Sequence, residues 1–166
     1  LLITGGARSG KSSFAEQRVR ELGAPLVYIA TAEAFDSEMK DRIALHQARR
    51  GPDWQTFHAP LNLPQALREA DGKGPCLVDC LTIWLNNLMF AEQETATAAD
   101  QLVAAIAARS DPVVLVTNEV GGGIVPENAL ARRFRDQAGR MNQIIANAVD
   151  EVYVSILGIP VRIKPH

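Results

Sequence analysis

Gly5-Gly6-Ala7-Arg8-Ser9-Gly10-Lys11-Ser12 satisfies G-x-x-x-x-G-K-[ST] at every position. The glycines let the backbone curl until successive N–H groups point inward at phosphate oxygens. Lys11 brings a charge to the β- and γ-phosphates, and the Ser12 hydroxyl is placed to ligate Mg²⁺. An apolar run, residues 1–4, leads into the loop, and a helical pattern, residues 11–22, leads out of it. The helix adds the positive end of its dipole at the point where the phosphates sit. A Gly-rich turn without that flanking strand and helix carries little meaning; with both, residues 5–12 read as a phosphate grip for ATP or GTP.

Working outward, short apolar runs alternate with helical patterns. Residues 26–30 read as a buried strand after the breakers Gly23 and Pro25, residues 76–79 as a third strand and 113–117 as a fourth. Asp36 or Ser37 can cap a helix that ends at Gly51-Pro52. Helices are predicted over residues 82–92 and 97–109, and a longer one has Pro126 in its first turn. The apolar face of that last helix is Leu130, Phe134, Ala138, Met141, Ile145 and Ala148, in steps of three and four. Residues 152–156 and 161–163 flank Leu157-Gly158-Ile159-Pro160 and read as a terminal hairpin. Strands that are apolar throughout belong to a parallel sheet covered on both faces. The expected architecture is therefore an α/β, doubly wound, mostly parallel sheet with helices on both faces and a C-terminal hairpin. In such sheets ligands bind beyond the carboxyl ends of the strands.

A chain of 166 residues fits one domain, residues 1–166. Its net charge of −2 and 5% aromatic content supply neither the basic surplus nor the stacking platforms that nucleic acid needs. No apolar run approaches the roughly 18 residues of a membrane span, and no signal peptide is visible. Leu1 already reads as strand without an initiating Met, so a few residues are expected to precede it. The two cysteines, Cys76 and Cys80, share one apolar stretch and lack the partners of a zinc site, so they read as buried thiols in a reducing cytoplasm.

Asp79 ends the third strand, from which an acidic residue can hold Mg²⁺ jointly with Ser12. Thr117-Asn118-Glu119 ends the fourth strand and either positions a water or hydroxyl or is a polar turn. The glycine-rich residues 120–126 that follow can serve as a substrate lid or merely turn the chain. Asn118 is followed by Glu119-Val120-Gly121 rather than Lys-x-Asp, so the guanine-reading motif of switch GTPases is absent. His46 lies one helical turn after Arg42. A histidine there is either a surface residue or a nucleophile, since neutral imidazole can attack phosphorus without a separate base. Spacing leaves both open.

Together the phosphate loop, Tyr28-Ile29-Ala30-Thr31-Ala32, Arg42-Ile43-Ala44-Leu45-His46, Val78-Asp79-Cys80-Leu81-Thr82 and Thr117-Asn118-Glu119-Val120-Gly121-Gly122-Gly123-Ile124-Val125-Pro126 resemble one family. It is the bifunctional adenosylcobinamide kinase / adenosylcobinamide-phosphate guanylyltransferase family of cobalamin biosynthesis. The match runs from Leu1 to about Lys164, and its most specific block runs from Asn118 through Phe134, Asp136, Gly139 and Asn142. The resemblance implies phosphorylation of adenosylcobinamide by ATP or GTP, then GMP transfer from GTP through a GMP-histidine intermediate. His46 aligns with that histidine. Gly5, Gly6, Ala7, Arg8, Ser9, Gly10, Lys11 and Ser12 would hold the phosphates, with Lys11 and Asp79 serving catalysis. Ala30, Thr31, Ala32 and Glu33, together with Gln47, Ala48, Arg49 and Arg50, would line the nucleotide site. It further implies a RecA-like fold and a homotrimer with its site near a subunit boundary. Two positions depart: four residues after Trp54 the family often carries a glutamate able to accept from guanine, where this chain has His58, and Asp79 stands where relatives can carry Glu, which leaves the metal role intact. The rival readings are a P-loop small-molecule kinase in which His46 is only structural, and a P-loop regulatory ATPase that turns over without a corrinoid.

Overall fold

The computed structural model describes residues 1–32, 51 and 53–165. Seven strands form one sheet: β1 (Leu2–Gly5), β2 (Leu26–Ala30), β3 (Trp54–His58), β4 (Cys76–Asp79), β5 (Val113–Val116), β6 (Val152–Ile156) and β7 (Ile159–Lys164). Their order is β3-β2-β4-β5-β1-β6-β7. Every pairing is parallel except β6 with β7, the terminal hairpin. The helices are α1 (Lys11–Glu21), α2 (Leu63–Glu69), α3 (Leu81–Phe90), α4 (Thr95–Ala107) and α5 (Ala129–Ala148).

Side chains alternate across the sheet, so neighbouring strand residues feed separate cores. Ile3, Leu26, Tyr28, Leu77, Val114 and Val116 pack against Ala15 and Val19 of α1 on one face. Leu2, Val27, Ile29, Val78 and Leu115 meet Leu67 of α2, Trp84 of α3, Leu102 of α4 and Ile145 of α5 on the other. Each fully buried aliphatic side chain contributes about 1.5–3 kcal/mol, so these two layers dominate stability. Both cysteines are free and buried, as the apolar stretch predicts. Among the described residues no helix is long and apolar enough to cross a membrane.

Two elements have no signal in the local pattern, and the long helix departs from its expected form. Residues 54–58 form β3, an edge strand in which only Trp54 is buried, so no continuous apolar run announces it. The seven-residue α2 is too short to display a helical period. Finally, Pro126 precedes the long helix instead of opening it. Asn128 is the N-cap, its Oδ1 accepting from the Ala131 N–H at 3.1 Å. The Arg132 guanidinium meanwhile donates to the carbonyls of Pro126 and Glu127. The apolar stripe of α5 is buried only in its middle: Ala138, Met141 and Ile145 enter the core and Phe134 packs half-buried against it, whereas Leu130 is 55% exposed and Ala148 is exposed as well. The helix expected after Asp36 or Ser37 lies outside the described residues.

Candidate nucleotide site

The phosphate loop joins β1 to α1 at the carboxyl edge of the sheet, flanked by the ends of β5 and β6. Its curvature requires glycine at both ends. Gly5 has φ 153°, and a Cβ there would fall 2.5 Å from the Ser155 carbonyl oxygen and 2.6 Å from Ser9 Oγ. Gly10, at φ 89°, caps α1, and a Cβ there would sit 3.1 Å from Gly158 Cα. Arg8 also adopts a positive φ of 55°. The loop is thus wedged against the terminal hairpin.

Hydrogen bonds hold that wedge. Ser155 Oγ donates to the Ser9 carbonyl at 2.5 Å, and the Gly158 N–H donates to the same oxygen at 3.0 Å. Two donors on one carbonyl fix the peptide plane that follows, and with it the direction of the loop's inward N–H groups. On the other flank the Glu119 N–H donates to the Gly5 carbonyl at 3.0 Å. Lys11 Nζ donates back to the Gly6 carbonyl at 3.0 Å, which leaves its ammonium over the loop. Nothing in the motif points to Ser155; its only signal is a hydroxyl in an otherwise apolar run, Val152-Tyr153-Val154-Ser155-Ile156.

Asp79 ends β4, half-exposed, and its Oδ2 accepts from the Tyr28 hydroxyl at a long 3.5 Å. The next residue, Cys80, is tied to the segment after β2. Thr31 Oγ1 donates to the Cys80 carbonyl and accepts from its N–H, both at 2.8 Å. Thr31 is fully buried, so its hydroxyl serves this tie, while Ala30 and Ala32 beside it are half-buried. Burial pushes the Cys80 thiol up to about 11, and the Asp79 carboxylate adds to the effect. N–H groups of Ile83 and Thr82 and the charge of Lys11 oppose it. Asp79 and Lys11 therefore both act on the same buried sulfur from opposite signs. The thiol is protonated and inert near neutral pH.

A second network closes the β5 side. The Asn118 N–H donates to Thr82 Oγ1 at 2.7 Å, and Thr117 Oγ1 donates to Asn142 Oδ1 at 2.8 Å. With its single proton committed to Asn142, Thr117 must accept from Thr82 across their 3.3 Å separation. Asn142 Nδ2 returns to the Asn118 carbonyl at 3.2 Å. Thus Thr117 and Asn118 have structural partners in α3 and α5, while Glu119 Oε1 turns back onto the Gly121 N–H at 2.6 Å.

The structure brings the phosphate loop, Lys11, Ser12, Asp79, Ala30, Thr31 and Ala32 to one edge of the sheet. His58 joins them as the exposed last residue of β3, in register with Ala30. Glu33, His46, Gln47, Ala48, Arg49 and Arg50 lie outside the described residues. Among those described, no cluster of three or more His, Cys, Asp or Glu residues could hold a metal. Ser12 and Asp79 instead offer a hydroxyl and a carboxylate, the sparse oxygen set with which Mg²⁺ is held beside substrate phosphates.

Comparison with known proteins completes the picture. The profile of the family described as cobinamide kinase / cobinamide phosphate guanyltransferase matches residues 1–163. A bifunctional adenosylcobalamin biosynthesis protein CobP of Pseudomonas aeruginosa is 43% identical over 98% of this chain and 96% of its own length. The bifunctional adenosylcobalamin biosynthesis protein CobU of Salmonella typhimurium is 44% identical over 99% of each chain. Its namesake in Escherichia coli is 39% identical over the same share. Among solved structures, the flagellar accessory protein FlaH of Methanocaldococcus jannaschii is similar with a TM-score of 0.52 at 11% identity, over 92% of this chain and 69% of that one. A KaiC-like protein of Pyrococcus horikoshii gives 0.51 at 15% identity, over 92% and 70%. At such identities the likeness concerns the fold alone, an α/β P-loop sheet.

Proposed function

The chain belongs to the cobinamide kinase / cobinamide phosphate guanyltransferase family, and from that premise we propose how its residues divide the two reactions. In the first, the aminopropanol hydroxyl of adenosylcobinamide attacks the γ-phosphorus of ATP or GTP and gives up its proton. The bond to the β–γ bridging oxygen breaks, and the nucleoside diphosphate leaves. In the second, His46 attacks the α-phosphorus of GTP and pyrophosphate departs. The phosphate of adenosylcobinamide phosphate then displaces the imidazole, giving adenosylcobinamide-GDP.

The observation that carries this reading is the phosphate loop locked at the sheet's carboxyl edge, with Ser9 held from β6 and Gly5 from the segment after β5. Donors fixed before substrate arrives need no reorganisation when phosphate charge develops. Lys11 exchanges the Gly6 carbonyl for a phosphate oxygen, a stronger, charge-assisted hydrogen bond. Ser12 and Asp79 are the residues that would hold Mg²⁺. When bound, that ion neutralises charge building on the leaving phosphates. His58, in register with Ala30, offers an imidazole where relatives often carry a carboxylate, so it lines the nucleotide site without a carboxylate's preference for guanine. We read the chain as one cytoplasmic domain, residues 1–166, that works as a homotrimer.

The histidine step is tested by covalent labelling. GTP labelled at the α-phosphorus should leave an acid-labile, alkali-stable phosphoramidate on the protein. His46→Asn keeps much of the volume but removes the nucleophile. It should lose labelling and transfer to adenosylcobinamide phosphate while still binding nucleotide at the phosphate loop. Persistent labelling would move the nucleophile elsewhere, with His58 the next candidate. A wild-type protein that never labels would be a kinase only.

A further inference from the structure

Resting on that reading, we propose that the corrinoid body of the acceptor lies in the apolar groove between the end of α3, the loop 119–128 and the first turns of α5. The groove encloses about 550 Å³ and is lined by Met89, Phe90, Val120, Pro126, Leu130 and Phe134. The groove lies on the phosphate-loop side of the chain that follows β5. The loop that forms its wall begins at Glu119, whose N–H is bonded to Gly5 of the phosphate loop. One continuous segment therefore connects the phosphates to the groove, as an acceptor with one reacting hydroxyl on a long arm requires.

A cobinamide is a broad macrocycle with a methyl-studded rim and several carboxamide arms, and the phosphate loop offers only polar backbone to such a body. The groove supplies the missing surface. Phe90 is 73% exposed and Leu130 55%, although each lies on a helix whose other face is well buried. The apolar stripe of α5 thus continues past the core into the groove, where no described residue covers it. Ligand sites of this type pair apolar walls with a few polar groups that fix orientation. Asn86, Asn128 and Arg135 stand at the groove and can exchange hydrogen bonds with carboxamides. A volume of about 550 Å³ holds part of a macrocycle rather than the whole acceptor.

The test measures binding apart from turnover. Equilibrium dialysis of adenosylcobinamide, followed in the dark by its visible absorbance, gives the corrinoid dissociation constant. Nucleotide affinity is measured on the same samples. Phe90→Ser and the pair Phe90→Ser with Leu130→Asn should weaken corrinoid binding by roughly tenfold or more, because each removes apolar contact area. Nucleotide affinity should stay at the wild-type value, which also shows that the variants are folded. Phe90 is mostly exposed, so the single variant carries the test should the pair fail to fold. Unchanged corrinoid affinity overturns the proposal. So does a smaller sedimenting species, which would assign the groove to a second copy of the chain. A wild-type protein that binds nucleotide but no corrinoid would defeat the functional reading itself, a result distinguishable from both.

Discussion

Ser155 sits 146 residues from Ser9 in sequence and donates into its carbonyl from within the core. A buried neutral hydrogen bond is worth about 1 kcal/mol net, and this one orients the loop that receives the triphosphate. Ser155→Ala should therefore weaken nucleotide binding about fivefold, the equivalent of that energy. Calorimetric titration with a non-hydrolysable triphosphate measures it. Wild-type affinity would mean that the Gly158 N–H alone holds the carbonyl. The sequence proposes Lys11 and Ser12 because the loop motif is local and its chemistry asks for those types, and Asp79 because it ends an apolar strand. Ser155 is not legible: its partner is set by strand pairing, β1 with β6, which no local pattern reveals.

Among the elements, β1, β2, β4 and β5 are easily read because both faces are covered and their residues are buried almost throughout. β3 is hidden for the opposite reason. As an edge strand it alternates polar residues with Trp54 and Phe57, and its parallel pairing to β2 supplies the order that composition does not. In α5 the period of three and four finds the core residues, yet period alone does not tell a buried stripe from an exposed one. Ala138, Met141 and Ile145 are buried, while Leu130 is not. The polar side of α5 carries Asn142, which joins Thr117 to the Asn118 carbonyl and so couples this helix to the end of β5. Asn142→Ala removes both bonds and leaves the Thr117 hydroxyl without its acceptor. It should cost about 1–3 kcal/mol of stability, read as a lower urea midpoint with an unchanged slope. An unchanged midpoint would show that the network adds nothing to the fold.

The whole molecule presents an unusual outer edge. Ile156, Leu157, Ile159, Val161 and Ile163 of the terminal hairpin are all exposed, Leu157 to 92%, and among the described residues no strand pairs with the outer side of β7. An apolar edge strand of this kind invites association. The homotrimer we propose places a subunit contact at the hairpin. Sedimentation equilibrium at micromolar concentration should give three times the chain mass. A stable monomer would remove the trimer from the account.

The most direct test of the central claim is product identification. The protein is incubated with adenosylcobinamide and Mg²⁺, together with ATP or GTP, and the corrinoids are separated and weighed by mass spectrometry. The account predicts adenosylcobinamide phosphate first, then, with GTP present, adenosylcobinamide-GDP and an equal amount of pyrophosphate. Nucleotide hydrolysis with the corrinoid recovered unmodified would contradict it.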